Sequence, residues 1–178
     1  MSKPPVKPVW EEVRFKNLGL DERALVTRTD KNGIITFASK AYSVLSGYSK
    51  KELIGRSHNI IRHPFMPKVI FKNMWDTIKA GKHFSGLVMN MRKDGRFYWV
   101  EVRVDAIDSD GNIVSSLASV GDTTQRNGRE IAGYVAIRRE PAREEIKEAF
   151  EYYKELKKEE LKSKMFLNDR EKEVLRVL

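Results

Sequence analysis

Two short turns, Asp30-Lys31-Asn32-Gly33 and Arg92-Lys93-Asp94-Gly95-Arg96, limit what this chain can fold into more than any other segment. Each lies between two strand-like apolar runs, and Asn-Gly and Asp-Gly pairs readily take the positive backbone angles that a tight hairpin needs. The first turn joins Ala24–Thr29 to Ile34–Ala38, and the second joins His83–Met91 to Phe97–Ile107. A third strand-like run, Ile131–Ile137, follows. Between the hairpins the apolar period changes. Ser39–Leu45 and Lys50–Ile54 read as short helices, separated where Gly47 can end one and Ser49 can cap the next. Pro67–Ala80 reads as a longer helix, with Val69, Ile70, Met74 and Ile78, or Phe71 and Trp75, at helical spacing. Two strands, several helices and three strands predict an antiparallel α+β domain with a five-stranded sheet.

Alternation in the later strands makes a further demand. Phe84, Gly86, Val88 and Asn90 share one face of their strand, and Leu87, Met89 and Met91 share the other. Both faces are largely apolar, so both must be covered, by the helices on one side and by the amino-terminal segment or a partner on the other. Asn90 then places an amide on a mostly apolar face, where it needs a hydrogen-bond partner. A heteroaromatic ring with carbonyl and imide groups would serve, as would backbone or water.

The segment Gly55–Pro67 concentrates His58, Asn59, Arg62 and His63 between the short helices and the long one, with Pro64 and Pro67 restricting the backbone that aims them. Imidazoles supply ring donors and acceptors, and a guanidinium fork suits a phosphate or a ring carbonyl. This pattern fits a cofactor-binding wall; a solvated loop rich in turn residues is the alternative. As zinc ligands, His58 and His63 would lack two partners. One of them as an axial haem ligand remains open.

Charge and composition exclude several classes. The chain has 178 residues, no cysteine and a formal charge of +9. Disulfides, thiolate metal sites, cysteine nucleophiles and cysteine-based flavin photochemistry are therefore absent. From Pro141 to Leu178 ten basic and ten acidic side chains balance, so the surplus lies in the first 140 residues. Arg62–Arg103 alone carries nine positive and three negative groups. A basic rim beside the unusual loop suits a pyrophosphate or an anionic partner surface, and no nucleic-acid-binding motif accompanies it. No signal peptide or membrane span is visible, which leads us to expect a cytoplasmic protein. No phosphate loop, nucleophile elbow or paired-carboxylate cleft argues for an enzyme.

At the carboxy terminus, Ile146, Ala149, Phe150, Tyr153, Leu156 and Leu161 form an apolar stripe on a helix that begins near Pro141 with acids in its first turn. The stripe is too short for a long coiled coil and should dock on the sheet, on a second copy or on a receptor. Asn168-Asp169 can cap a final short helix.

The segments Val44–Gly55 (V-L-S-G-Y-S-K-K-E-L-I-G), His58–Pro64 (H-N-I-I-R-H-P), Met74-Trp75, Gly86–Asn90 and Lys93–Val100 (K-D-G-R-F-Y-W-V), in this order, resemble the PAS sensor domains of the aerotaxis-receptor (Aer) branch. The resemblance runs from about Thr27 to about Arg139. It implies a PAS fold with an antiparallel five-stranded sheet, short helices on one face and a carboxy-terminal helical extension. It also implies an amino-terminal cap at residues 1–20, a PAS domain at 21–140 with an insertion at about 108–129, and the extension at 141–178. That branch binds FAD without covalent attachment and reports flavin redox state to a chemoreceptor. By resemblance, Arg62 and His63 match its flavin-binding Arg-His pair and Asn90 the asparagine facing the ring, while His58, Asn59, Phe71 and Trp75 match positions that line or support the pocket. Three positions depart from the branch: Phe65 stands where aspartate is usual, Phe84 where tryptophan is frequent, and Ser39 where asparagine is usual. Ser39 and Phe84 are counted as pocket positions all the same. The chain lacks the membrane spans and signalling bundle of the full receptor, which makes it more similar to the stand-alone PAS partner (CetB type) of a split energy-taxis receptor. The partner implied is a HAMP-type or methyl-accepting chemoreceptor, or a second copy, with no nucleic acid and no direct membrane insertion. An apo interaction module and a haem-binding gas sensor are the alternatives.

Overall fold

Both predicted turns close hairpins, and each is pinned by its aspartate. Asp30 Oδ1 accepts the backbone N–H groups of Asn32 and Ile34 at 2.8 and 3.0 Å, and Asp94 Oδ1 accepts that of Arg96 at 3.0 Å. A computed structural model describes residues 5–20, 25–114 and 130–178. The strands are β1 (Val26–Asp30), β2 (Ile35–Ala38), β3 (Phe84–Met91), β4 (Phe97–Ile107) and β5 (Gly133–Arg139). They form one antiparallel sheet in the order β2-β1-β5-β4-β3. The expected start of β1 at Ala24, and Leu117 and Val120 of the expected insertion, lie outside the described residues. Of that insertion, Ile113 bridges back to Ile107 and Val114 N–H donates to the Ala106 carbonyl at 2.9 Å.

The helices are α1 (Lys40–Ser46), α2 (Lys50–Leu53), α3 (Lys68–Lys79), α4 (Arg143–Lys162) and α5 (Asp169–Val177), with a 3-10 turn at His58–Ile61. Ser49 and Glu52 cap α2 reciprocally, each side chain accepting the other's backbone N–H. The β3–β4 turn reaches back to α1: buried Arg92 donates to the carbonyls of Val44 and Leu45, which the helix end leaves without partners. The turns and short helices therefore hold one another in place, and the 55–62 loop is threaded between them.

Register sorts the sheet into two faces. Asn90↔Tyr98, Val88↔Val100, Val104↔Ala136 and Thr27↔Ala136 lie toward α1–α3, and Met91↔Phe97, Met89↔Trp99 and Arg103↔Ile137 lie on the opposite face. Bordering that opposite face, the amino-terminal segment pairs in parallel with the start of β4, with Val13 N–H donating to the Phe97 carbonyl at 2.8 Å and Phe97 N–H to that of Glu11 at 3.0 Å. The stripe of α4 docks beside it. Tyr153 stacks on Trp99 at 6.2 Å and donates its hydroxyl to the Leu87 carbonyl at 2.7 Å. Phe150 stacks on Phe65 at 5.2 Å. Burying each such ring contributes about 1.5–3 kcal/mol, so the extension is an integral cover of the sheet. Phe65, where the branch usually carries aspartate, is the aromatic seat of α4.

Candidate cofactor site

Helical spacing and strand alternation together build a cavity. Phe71, Met74, Trp75 and Ile78 recur along one face of α3 at three- and four-residue steps. That face lies across Val88, Val102 and Val104 on the inner face of the sheet, leaving a cavity of about 370 Å³. The Asn32-Gly33 turn closes one side: Gly33 has φ +80°, and a Cβ there would lie 2.9 Å from the Trp75 ring. Trp75 meets Tyr134 edge-on at 5.7 Å.

The polar part of the wall is basic. Arg62, Lys68, Lys72 and Arg138 line it together with His58, Asn59 and Asn90, and among the described residues no aspartate or glutamate does. The Arg62 guanidinium lies 3.7 Å from the centre of the Phe71 ring, a cation–π contact, and the Arg62 backbone bridges to Asn90 on the edge strand β3. Asn90 is 4% exposed. Lys68 and Lys72 are exposed.

Arg138 is the cation that sequence reasoning missed. It is 6% exposed and lies 4.4 Å from the centre of the Tyr42 ring. It donates to Thr27 Oγ1 at 3.0 Å and the Ala136 carbonyl at 3.3 Å, and lies 3.0 Å from His58 Nε2. A guanidinium can only donate, so Nε2 is the acceptor and the neutral His58 ring carries its proton on Nδ1. Burial, followed by the charge of Arg138, lowers the His58 pKa to about 3. The signal for Arg138 was present in the alternation Tyr134, Ala136, Arg138, which continues one step past the expected strand end at Ile137. Tyr134, Thr27, Lys68 and Lys72 also line the cavity without having been singled out.

Of the nine expected site residues, the cavity brings together His58, Asn59, Arg62, Phe71, Trp75 and Asn90. Three lie outside its wall. Ser39 is the N-cap of α1, its Oγ accepting the Tyr42 N–H at 3.3 Å and the Val26 N–H at 3.2 Å. The ring of Phe84 folds over Gly86, within 2.9 Å of where a Cβ would stand. His63 turns the other way from Arg62 and is wholly buried, with its ring 5.2 Å from that of Trp10 and 6.2 Å from that of Phe97. Its Nδ1 accepts the Phe65 N–H at 3.0 Å and its Nε2 has no partner. Burial, then the charges of Arg170 and Lys157, lowers its pKa to about 3. Among the described residues no group of three or more His, Cys, Asp or Glu gathers to hold a metal ion, and no helix is long and apolar enough to cross a membrane.

Comparison with known proteins agrees with this geometry. Residues 35–120 match the family model described as PAS fold. The chain is 36% identical over 136 residues to the aerotaxis receptor of Escherichia coli (strain K12), covering 76% of this chain and 23% of the receptor. It is 25% identical over 105 residues to the biofilm dispersion protein BdlA of Pseudomonas aeruginosa, covering 58% of this chain and 25% of that protein. Among solved structures, a light-oxygen-voltage domain studied with a flavin analogue superposes with a TM-score of 0.55 at 19% identity, over 75% of this chain and 87% of that domain. The dark structure of the Aureochrome1 LOV domain gives 0.52 at 22% identity, over 78% and 86%. The chain thus spans about a quarter of these two curated relatives and nearly the whole of these solved domains. Five antiparallel strands in the order β2-β1-β5-β4-β3, helices on the inner face and the matched residues make this chain a PAS sensor domain related to the aerotaxis receptor.

Proposed function

We propose that the domain binds FAD non-covalently in this cavity and reports the redox state of the flavin to a chemoreceptor through protein contact. The observation that carries the proposal is the wall itself, with four cations and no carboxylate among the described residues, an amide on β3 and an aromatic floor on α3. A cavity of about 370 Å³ lies within the range of small-molecule sites. It has room for a fused ring rather than a whole dinucleotide, whose phosphates would meet the exposed Lys68 and Lys72. A bound flavin supplies reversible uptake of electrons. The chain's residues would bind and orient it: Asn90 and Arg138 could hydrogen-bond a polar ring edge, Trp75 and Phe71 would supply apolar area, and Arg62 would offer a guanidinium fork.

The aerotaxis receptor and the light-oxygen-voltage domains support the flavin assignment by similarity, and the receptor also supports the chemoreceptor partner. We place the protein in the cytoplasm, recruited to the inner membrane face through that partner, and assign it no enzymatic activity. The haem alternative loses ground because His58 Nε2 already faces Arg138 and His63 points away from the cavity.

The visible absorption spectrum of the purified protein, with release of the chromophore by heat or acid, tests this. Paired flavin bands that bleach on reduction, with FAD released, are expected. Arg62→Ala and Asn90→Ala should each weaken flavin binding about 10-fold or more, since hydrogen bonds to charged or buried groups are worth about 1.5–3 kcal/mol. A sharp Soret band would move the assignment to haem. A protein that stays colourless when supplied with FAD would leave an apo interaction module as the better account.

A further inference from the structure

Of the four cations on the cavity wall, Arg138 is the buried one, and no carboxylate pairs with it among the described residues. Its Nε is buried without a hydrogen-bond partner, and its terminal nitrogen is shared between the Thr27 hydroxyl and His58 Nε2, each at 3.0 Å. His58 is half-buried, and four side chains face it. Arg138 approaches from β5, Thr27 from β1 at 3.2 Å, Tyr42 from α1 with its ring 6.2 Å away, and Arg62 from the end of its own turn. The neutral imidazole has one acceptor lone pair, on Nε2, and a guanidinium donates to it.

Resting on the flavin assignment above, we propose that Arg138 and His58 form a charge relay to the cavity: when reduction adds negative charge to the bound ring, Arg138 turns toward that charge and His58 takes up a proton at Nε2. Full reduction by dithionite adds two electrons to a flavin ring; with one proton taken up the ring carries one negative charge, and a neighbouring cation such as Arg138 favours that form over uptake of a further proton by the ring. A second proton, from solvent, forms the Nε2–H bond of His58, and no bond in the chain is broken. Two features of the site favour this. A buried guanidinium with no carboxylate partner among the described residues is drawn strongly to an anion in the cavity. The Thr27 hydroxyl beside Nε2 accepts from Arg138 and is equally able to accept from a protonated imidazole. Moving the cation away and placing an anion nearby both favour the charged ring and raise its pKa.

The chain has three histidines, so the test is direct. Protein labelled with nitrogen-15 in histidine and loaded with FAD is followed by NMR at pH 5, oxidised and then fully reduced with dithionite, with flavin absorbance read in the same tube. The expected result is a change of His58 from the neutral to the imidazolium pattern on reduction, while His63, buried outside the cavity, keeps its signals. Thr27→Val, which removes the acceptor for the new proton, should reduce the imidazolium fraction about 5-fold or more at the same pH. If the flavin bleaches and His58 stays neutral, or if His63 shifts as far as His58, the relay is overturned and the flavin assignment stands. If no flavin is bound, that assignment fails and the relay falls with it.

Discussion

Glu160 on α4 accepts the backbone N–H of Lys68 at 2.7 Å, so the carboxy-terminal extension is tied to the first turn of the helix that forms the cavity floor. Its other carboxylate oxygen pairs with Lys157, which is buried and also reaches the Met66 carbonyl at 3.5 Å. One carboxylate thus satisfies an orphan donor of α3 and neutralises a buried ammonium. This residue joins the amino-terminal end of α3 to α4.

Glu160→Gln keeps an acceptor for Lys68 and leaves the buried Lys157 ammonium without its hydrogen-bonded counter-charge. Since Glu160 is 19% exposed, the expected loss is about 2 kcal/mol, below the range for fully buried pairs. Adding Lys157→Met should restore most of it, because an apolar side chain suits the site better than an unpaired cation. Urea unfolding at pH 7 of the single and double variants checks this. A double variant no more stable than Glu160→Gln would show that the pair is not coupled.

Acid should destabilise the fold through His58, which is half-buried, and His63, which is buried. The folded-state pKa of each is depressed to about 3, against about 6.5 unfolded. Between these values the unfolded chain binds more protons, so stability is complete above about pH 6.5 and falls as the pH drops, at about 1 kcal/mol per pH unit per histidine. His58→Gln and His63→Gln should each halve the slope of the urea midpoint between pH 6.5 and 4.5. An unchanged slope in both would mean that these rings titrate like exposed ones.

Local chemistry explains which parts were legible from sequence. The hairpins followed from Asn32-Gly33 and Asp94-Gly95, α3 from its apolar spacing, and the capping of α2 from Ser49 and Glu52, because each depends on neighbours along the chain. The cavity floor of Phe71 and Trp75 and the amide of Asn90 were legible for the same reason. His63 was not, since two successive residues in an extended segment point opposite ways and nothing local says which one meets the cavity. Arg138 needed the sheet order as well as its alternation: only the placing of β5 beside β1 sets it against Thr27 and His58. Lys157 was also missed, since a lysine on an otherwise charged helix reads as solvated until α3 is packed against it.

Phe65 offers a test of what the extension requires. Phe65→Asp, the residue usual in the aerotaxis branch, would bury a carboxylate where Phe65 is 1% exposed and stacked on Phe150. An unpaired buried charge and the lost stack together should cost about 3–5 kcal/mol. The loss should be local, with α4 and α5 cut early in limited proteolysis while the sheet stays protected. Equal protection of α4 in variant and parent would mean that the Phe65–Phe150 stack does not hold the extension.

The approach of Gly33 to Trp75 separates backbone strain from packing at the cavity. Gly33→Ala meets two obstacles, a φ of +80° and a Cβ 2.9 Å from the indole. Gly55→Ala meets only the first, since its φ is +83° and nothing stands within 4 Å. The left-handed conformation costs a residue with a side chain about 1–2 kcal/mol, so both variants should lose that much stability. Gly33→Ala should lose about 1 kcal/mol more, within the range for overpacking, and should shift Trp75 fluorescence and weaken FAD binding several-fold, because the indole has to move into the cavity. Gly55→Ala should bind FAD as the parent does. Equal behaviour of the two variants in flavin titration would show that Trp75 yields without disturbing the site, and would remove the β1–β2 turn from the cavity wall.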